Sequence, residues 1–202
     1  MGFAAFLALA GAAAACTLEM PREAQRTAVP TGRLDTRLLD DAVRAEVNHA
    51  RCQAGRSALK PAGIELARTA EAHSRWMVSA RNLTHRSTVS GKRTPAERIR
   101  ASGVRLRRGS ENIGYISRYQ IDGAPFRILD AGACRFASYS GEPLPVHTYA
   151  TLARQIVNGW MASEPHRRNI LDSRVDKVAT GAAVEPNGPY CGRVWFTQSF
   201  AG

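Results

Sequence analysis

Apolar residues recur at helical spacing in several separated stretches. After Asp35, the positions Leu39, Val43, Val47 and Ala50 fall on one stripe, which predicts a helix from Asp35 as its cap to about Ala50. "CQAGRSALKP" follows as a glycine-containing turn with a proline stop. From Ile64 to about Ala80 a second stripe carries Leu66, Ala70, His73, Met77 and Ala80, so His73 reads as a core histidine with one hydrogen-bond partner. "TPAERIRASG" predicts a short third helix: Thr94 is the N-cap, Pro95 the first position, Glu97 completes a capping box, and Gly103 lies beyond the end. "YATLARQIVNGWMAS" repeats at helical spacing through Leu152, Ile156, Val157 and Trp160 and should pack on a sheet.

Strand character is concentrated at the end of the chain. Val178 to Val184 and Arg193 to Phe200 are rich in β-branched and aromatic residues, with period-two character in "VWFTQSF", and "ENIGYIS" is a third candidate. The glycine- and proline-rich stretch between that candidate and Tyr149 reads as surface loop. Helices, one strand, more helix and two closing strands predict an α/β sandwich of mixed strand order. The strands are too few for a doubly wound fold.

Composition adds the surroundings. The 202 residues, 44% hydrophobic and 22% charged, suit one domain with an extension. Residues 1–16, "MGFAAFLALAGAAAAC", are apolar for the length of a signal-peptide core and too short to span a bilayer, which predicts export; no Lys or Arg precedes the run. Ala13-Ala14-Ala15 before Cys16 serves either as an ordinary cleavage site or as a lipoprotein box with Cys16 lipidated; peripheral membrane association would follow only from the second. Residues 17–33, polar with two prolines, read as a flexible linker ahead of a domain at 34–202. The net charge of +11 is carried by scattered arginines not interleaved with aromatics, so no nucleic-acid partner is expected, and "RLRR" at 105–108 is the densest cluster. With Cys16 set aside, an oxidising compartment and loop-like surroundings favour a disulfide between Cys134 and Cys191, with Cys52 a buried thiol near a helix end.

The candidate chemistry lies in polar residues set among packed ones: His85 in "NLTHRS", Glu111 and Asn112 in "GSENIGY", His166 in "SEPHRRNIL" and Gln198 in "FTQSF". With Ser163 as N-cap, His166 occupies a third helical position, where the helix dipole disfavours the imidazolium. No G-x-S-x-G elbow, thiol-histidine signature or H-E-x-x-H pattern is present. Two histidines and a carboxylate remain, the ligand types that hold Zn2+ or another divalent metal with one position open.

"AEAHSRWMVSARNLTHRS", "SENIGY", "WMASEPHRRNIL" and "VWFTQSF", in that order and spacing, resemble the bacterial form of the CAP superfamily, the SCP-like extracellular domain. The resemblance covers about Asp35 to Gly202. It implies a three-layer α-β-α sandwich with a small mixed sheet and a central cleft, where His85, Glu111 and His166 match the family's cleft residues and Glu97, Asn112 and Gln198 stand beside them. Animal and plant members carry a further histidine in the last strand motif, where Trp195 stands here. Glu164 and Pro165 replace the Pro-Gly of the bacterial "SPGH" turn. The implied function is an exported, non-enzymatic binding module at the bacterial envelope, with a cell-envelope component, a lipid or an extracellular protein as partner. The alternatives are a metal-dependent hydrolase using the same cleft and a lipid- or sterol-binding protein with the Tyr119 to Pro145 region as its lid. No oligomeric state is implied.

Overall fold

A computed structural model describes residues 16–202; the expected signal segment, up to residue 15, lies outside the described residues. The helices follow the apolar stripes. In chain order they are α1 (Arg22–Arg26), α2 (Thr36–Gln53), α3 (Ile64–Ala80), α4 (Pro95–Ala101), α5 (Tyr149–Ala162) and α6 (Glu164–Leu171). Asp35 caps α2 by accepting from the backbone N–H of Arg37 and Leu38, a contact of the kind worth about 1 kcal/mol. The capping box at Thr94 and Glu97 forms as its sequence requires.

The strands are β1 (Lys60–Pro61), β2 (Gly109–Ser117), β3 (Phe126–Asp130), β4 (Arg135–Ser138), β5 (Lys177–Glu185) and β6 (Arg193–Ala201). One sheet runs in the order β1-β5-β6-β2, parallel only between β1 and β5, and β2 is an edge strand. Alternation along the strands sends two sets of side chains in opposite directions. Val178, Ala182, Val194, Phe196 and Phe200 pack with α2 and α5, while Ala179 and Ala201 pack with Leu66 and Ala67 of α3 and Ile99 of α4. This is the expected α-β-α sandwich. Trp160 of α5 ties the layers by donating its indole N–H to the Ile113 carbonyl of β2, at 3.2 Å.

Gly181 marks the tightest approach between layers. A Cβ there would stand 2.1 Å from the Glu71 nitrogen and 2.4 Å from the Ala67 oxygen, both backbone atoms of α3. Only a residue without a side chain lets α3 lie this close to β5. Gly181→Ala is expected to destabilise the fold by about 3 kcal/mol, through overpacking that no rotamer can relieve. Urea unfolding followed by tryptophan fluorescence measures it.

Three expectations need correction. The segment read as a flexible linker is packed: it forms α1, buries Ala24 and Val29, and bridges Ala28 to Thr148. Its apolar residues are too few for a periodic signal, and their burial comes from contact with α2 and α5. Cys52 is not a free thiol, because it is bonded to Cys16. A sulfur in a disulfide carries no thioether, so this arrangement and lipidation of Cys16 exclude one another. The expected Cys134–Cys191 bond is present.

The third correction concerns the stretch read as surface loop. It contains the β3–β4 ribbon, which the Cys134–Cys191 bond joins to the short 3-10 turn Pro189–Cys191. Phe126 and Phe136 meet Tyr190 edge-on, and Tyr119 packs on Phe136. The ribbon is ordered by this cluster and not by its own short alternation.

Candidate functional site

The site is built around edge strand β2. α3 ends at Arg81, which adopts the left-handed conformation with φ 49° and returns its N–H to the last carbonyls. The chain then folds back as a loop closed by Ser87, whose N–H donates to the Arg93 carbonyl and whose hydroxyl donates to that of Lys92. This loop sets Thr84 against His73 and carries His85 to β2. There the His85 Nδ1 lies 2.9 Å from a Glu111 carboxylate oxygen.

Glu111 is the centre of the cluster, and its side chain is 1% exposed. A buried carboxylate needs charge compensation as well as hydrogen bonds. Arg98 of α4, 2% exposed, supplies both: Nε donates at 3.1 Å, and Nη2 lies 2.6 and 2.7 Å from the two carboxylate oxygens. The remaining guanidinium hydrogens go to the carbonyls of His85, Lys92 and Arg93. One arginine therefore neutralises the carboxylate and fastens the loop that presents His85. The half-exposed His85 donates from Nδ1 to Glu111, which in the neutral ring leaves Nε2 as an acceptor.

His166 sits at the third position of α6, as its sequence predicts. Its pKa is lowered, first by burial and then by the nearby His85, so the neutral imidazole is favoured.

The other expected cleft residues serve elsewhere. Asn112 and Gln198 are fully buried, where alternation turns them away from Glu111. Asn112 donates to the His166 carbonyl and accepts from Asn169, and a further contact reaches Gln198, which donates to Thr180. This polar row fixes α6 against the sheet and so positions His166 from behind. Glu97 is used by its capping box, accepting from the backbone N–H of Arg93 and Thr94. Arg98 and Asn169 were not singled out by sequence reasoning. The signal for Arg98 was the need of a buried Glu111 for a cation, which could be inferred only once Glu111 was known to be buried.

Glu111 is not available as a third metal ligand beside His85 and His166. Its carboxylate is engaged by the Arg98 guanidinium and the His85 imidazole. Among the described residues no group of three or more His, Cys, Asp or Glu side chains is arranged to hold a metal ion.

Comparison with known proteins bears on the family and the fold. The model of the cysteine-rich secretory protein family, CAP, matches residues 44–200. Among solved structures, an extracellular protein from Bacillus anthracis containing an SCP domain aligns with a TM-score of 0.53 at 18% identity, over 81% of this chain and 40% of that one. An outer surface protein of Borrelia burgdorferi aligns with a TM-score of 0.55 at 14% identity, over 84% of this chain and 98% of its own. The chain thus spans well under half of the Bacillus protein, and at these identities the likeness is one of fold. No curated protein sequence matches.

Proposed function

Since the chain belongs to the cysteine-rich secretory protein (CAP) family, we propose that it is an extracytoplasmic binding module that holds an envelope component through His85 and His166. The observation that carries this reading is the saturation of Glu111 by Arg98. The oxygens of this carboxylate are taken up by Arg98 and His85, which leaves the two imidazoles as the groups offered to a ligand. Such a pair suits recognition. Two disulfides accord with an oxidising compartment. Among the described residues no helix is long and apolar enough to cross a membrane.

Co-sedimentation of the purified protein with isolated envelope fractions tests the reading. His85→Ala and His166→Ala are each expected to weaken retention about tenfold, the loss of one charge-assisted or well-placed hydrogen bond. Two results would overturn it. One is zinc-dependent turnover of peptide, ester or cell-wall substrates that disappears in His166→Ala; the other is calorimetric zinc binding that both alanine variants abolish.

A further inference from the structure

The arginine cluster at 105–108 has no part in the cleft, and the fold brings it to other cations. Residues 105–108 lead into β2 and residues 173–177 lead into β5, so the two segments meet at the end of the main sheet, where Ala201 of β6 pairs with Gly109 and with Lys177. A cavity of about 330 Å3 lies there, with Arg105, Arg107, Ser173, Arg174, Asp176 and Lys177 among its walls and the main chain of Gly202 beside them. The Gly202 oxygen accepts from the backbone N–H of Arg107 and Arg108, both at 2.8 Å, which fixes the arginine segment to the end of the sheet.

Four cations line this space. Arg174 is held by Asp172, which also takes Arg108, and Lys177 lies 3.5 Å from Asp176. Arg105 and Arg107 are exposed, and among the described residues neither has a carboxylate partner. The four outnumber Asp176 even with a carboxylate counted at Gly202. Like charges gathered by the fold repel one another, and an anion seated among them removes that cost. Guanidinium groups offer paired N–H donors that match the oxygens of a phosphate, and the Ser173 hydroxyl adds a further donor. A carboxylate, with one charge, would leave most of this field unmet. A phosphate ester brings three terminal oxygens and roughly two charges at neutral pH.

We propose that this cavity binds the phosphate group of a small phosphate ester, held by Arg105 and Arg107 with Ser173 and Lys177 beside them. Its volume is at the small end of ligand pockets, enough for the phosphate and a body of a few carbons. The site shares no residue with the His85 and His166 cleft and does not depend on what that cleft binds.

The intact protein, labelled with 15N, is titrated with glycerol 1-phosphate and with acetate at low salt, and is separately sedimented with phosphatidylglycerol vesicles. Glycerol phosphate is expected to shift the amides at 105–108 and 173–177 saturably, with an affinity that falls as salt is raised, and acetate to bind at least about tenfold more weakly. Arg105→Gln with Arg107→Gln, both at exposed positions, is expected to weaken glycerol phosphate binding about tenfold. Arg22→Gln with Arg26→Gln lowers the net charge equally at exposed positions of α1 and should leave binding unchanged. Equal losses in the two double variants overturn the proposal, since net charge alone would then attract the anion, and so does acetate binding as tightly as the phosphate. Absence of saturable shifts with glycerol phosphate also overturns it; retention on vesicles alone would make the cluster a contact for a lipid surface.

Discussion

Arg98→Met is expected to destabilise the protein by about 4 kcal/mol, because it strands the Glu111 carboxylate in a site where its side chain is 1% exposed. The loss has two parts. One is the unpaired buried charge; the other is the release of the His85, Lys92 and Arg93 carbonyls, which lose their common donor. The two separate in a double variant. Arg98→Met with Glu111→Leu removes both charges, and replacing a buried ion pair by apolar groups is often close to neutral. The double variant is therefore expected to recover more than half of the loss, leaving the part due to the loop. Urea denaturation of the four proteins in this cycle reads the coupling directly. A double variant as unstable as Arg98→Met alone would show that Arg98 acts through the loop and not through Glu111.

The fold was legible where residues repeat and obscure where they do not. Leu39, Val43 and Val47 announce α2 by spacing alone, because one face of that helix packs on a core layer, and "VWFTQSF" announces β6 by its β-branched and aromatic residues, which lie buried between layers on both faces. The β3–β4 ribbon has no such layer. Phe126, Phe136 and Tyr190 come from segments up to 64 positions apart, and no window of sequence contains their contact. Cys52 illustrates the same limit, since its partner was set aside with the signal segment.

At the site, His85, Glu111 and His166 stand out as polar residues among packed ones and were brought together by the family resemblance, and the structure brings His85 to Glu111 with His166 nearby. What spacing could not show was which way each strand residue points once β2 lies at the sheet edge. Glu111 faces α4, while Asn112, its neighbour in sequence, faces α6. One residue serves the cleft and the next serves the scaffold.

Asp40 of α2 is buried and accepts from the Thr180 N–H of β5 at 2.7 Å, and burial raises its pKa from 3.8 to about 7 despite that bond and the nearby Arg44. A raised carboxyl pKa means that the fold holds a proton the unfolded chain has released. Its contribution is therefore fully present below about pH 4 and is lost as pH rises through about 7. His73 and His147 act in the opposite direction. Both are buried neutral, with pKa values lowered from 6.5 to about 4, mainly by burial. Their contribution is present above 6.5 and is lost as pH falls through about 4. At 1.36 kcal/mol per pKa unit each of these three groups is worth on the order of 3 kcal/mol. In the wild type they oppose one another between pH 4 and 7, which flattens the stability profile. Asp40→Asn keeps an oxygen for Thr180 and removes the titration. Relative to wild type, it is expected to be about equal in stability near pH 4 and more stable by about 3 kcal/mol near pH 8, and its own stability should fall steeply on acidification as the histidines are forced to take up protons. Urea midpoints of both proteins across that range check the sign as well as the size. Parallel profiles would mean that Asp40 is charged in the fold.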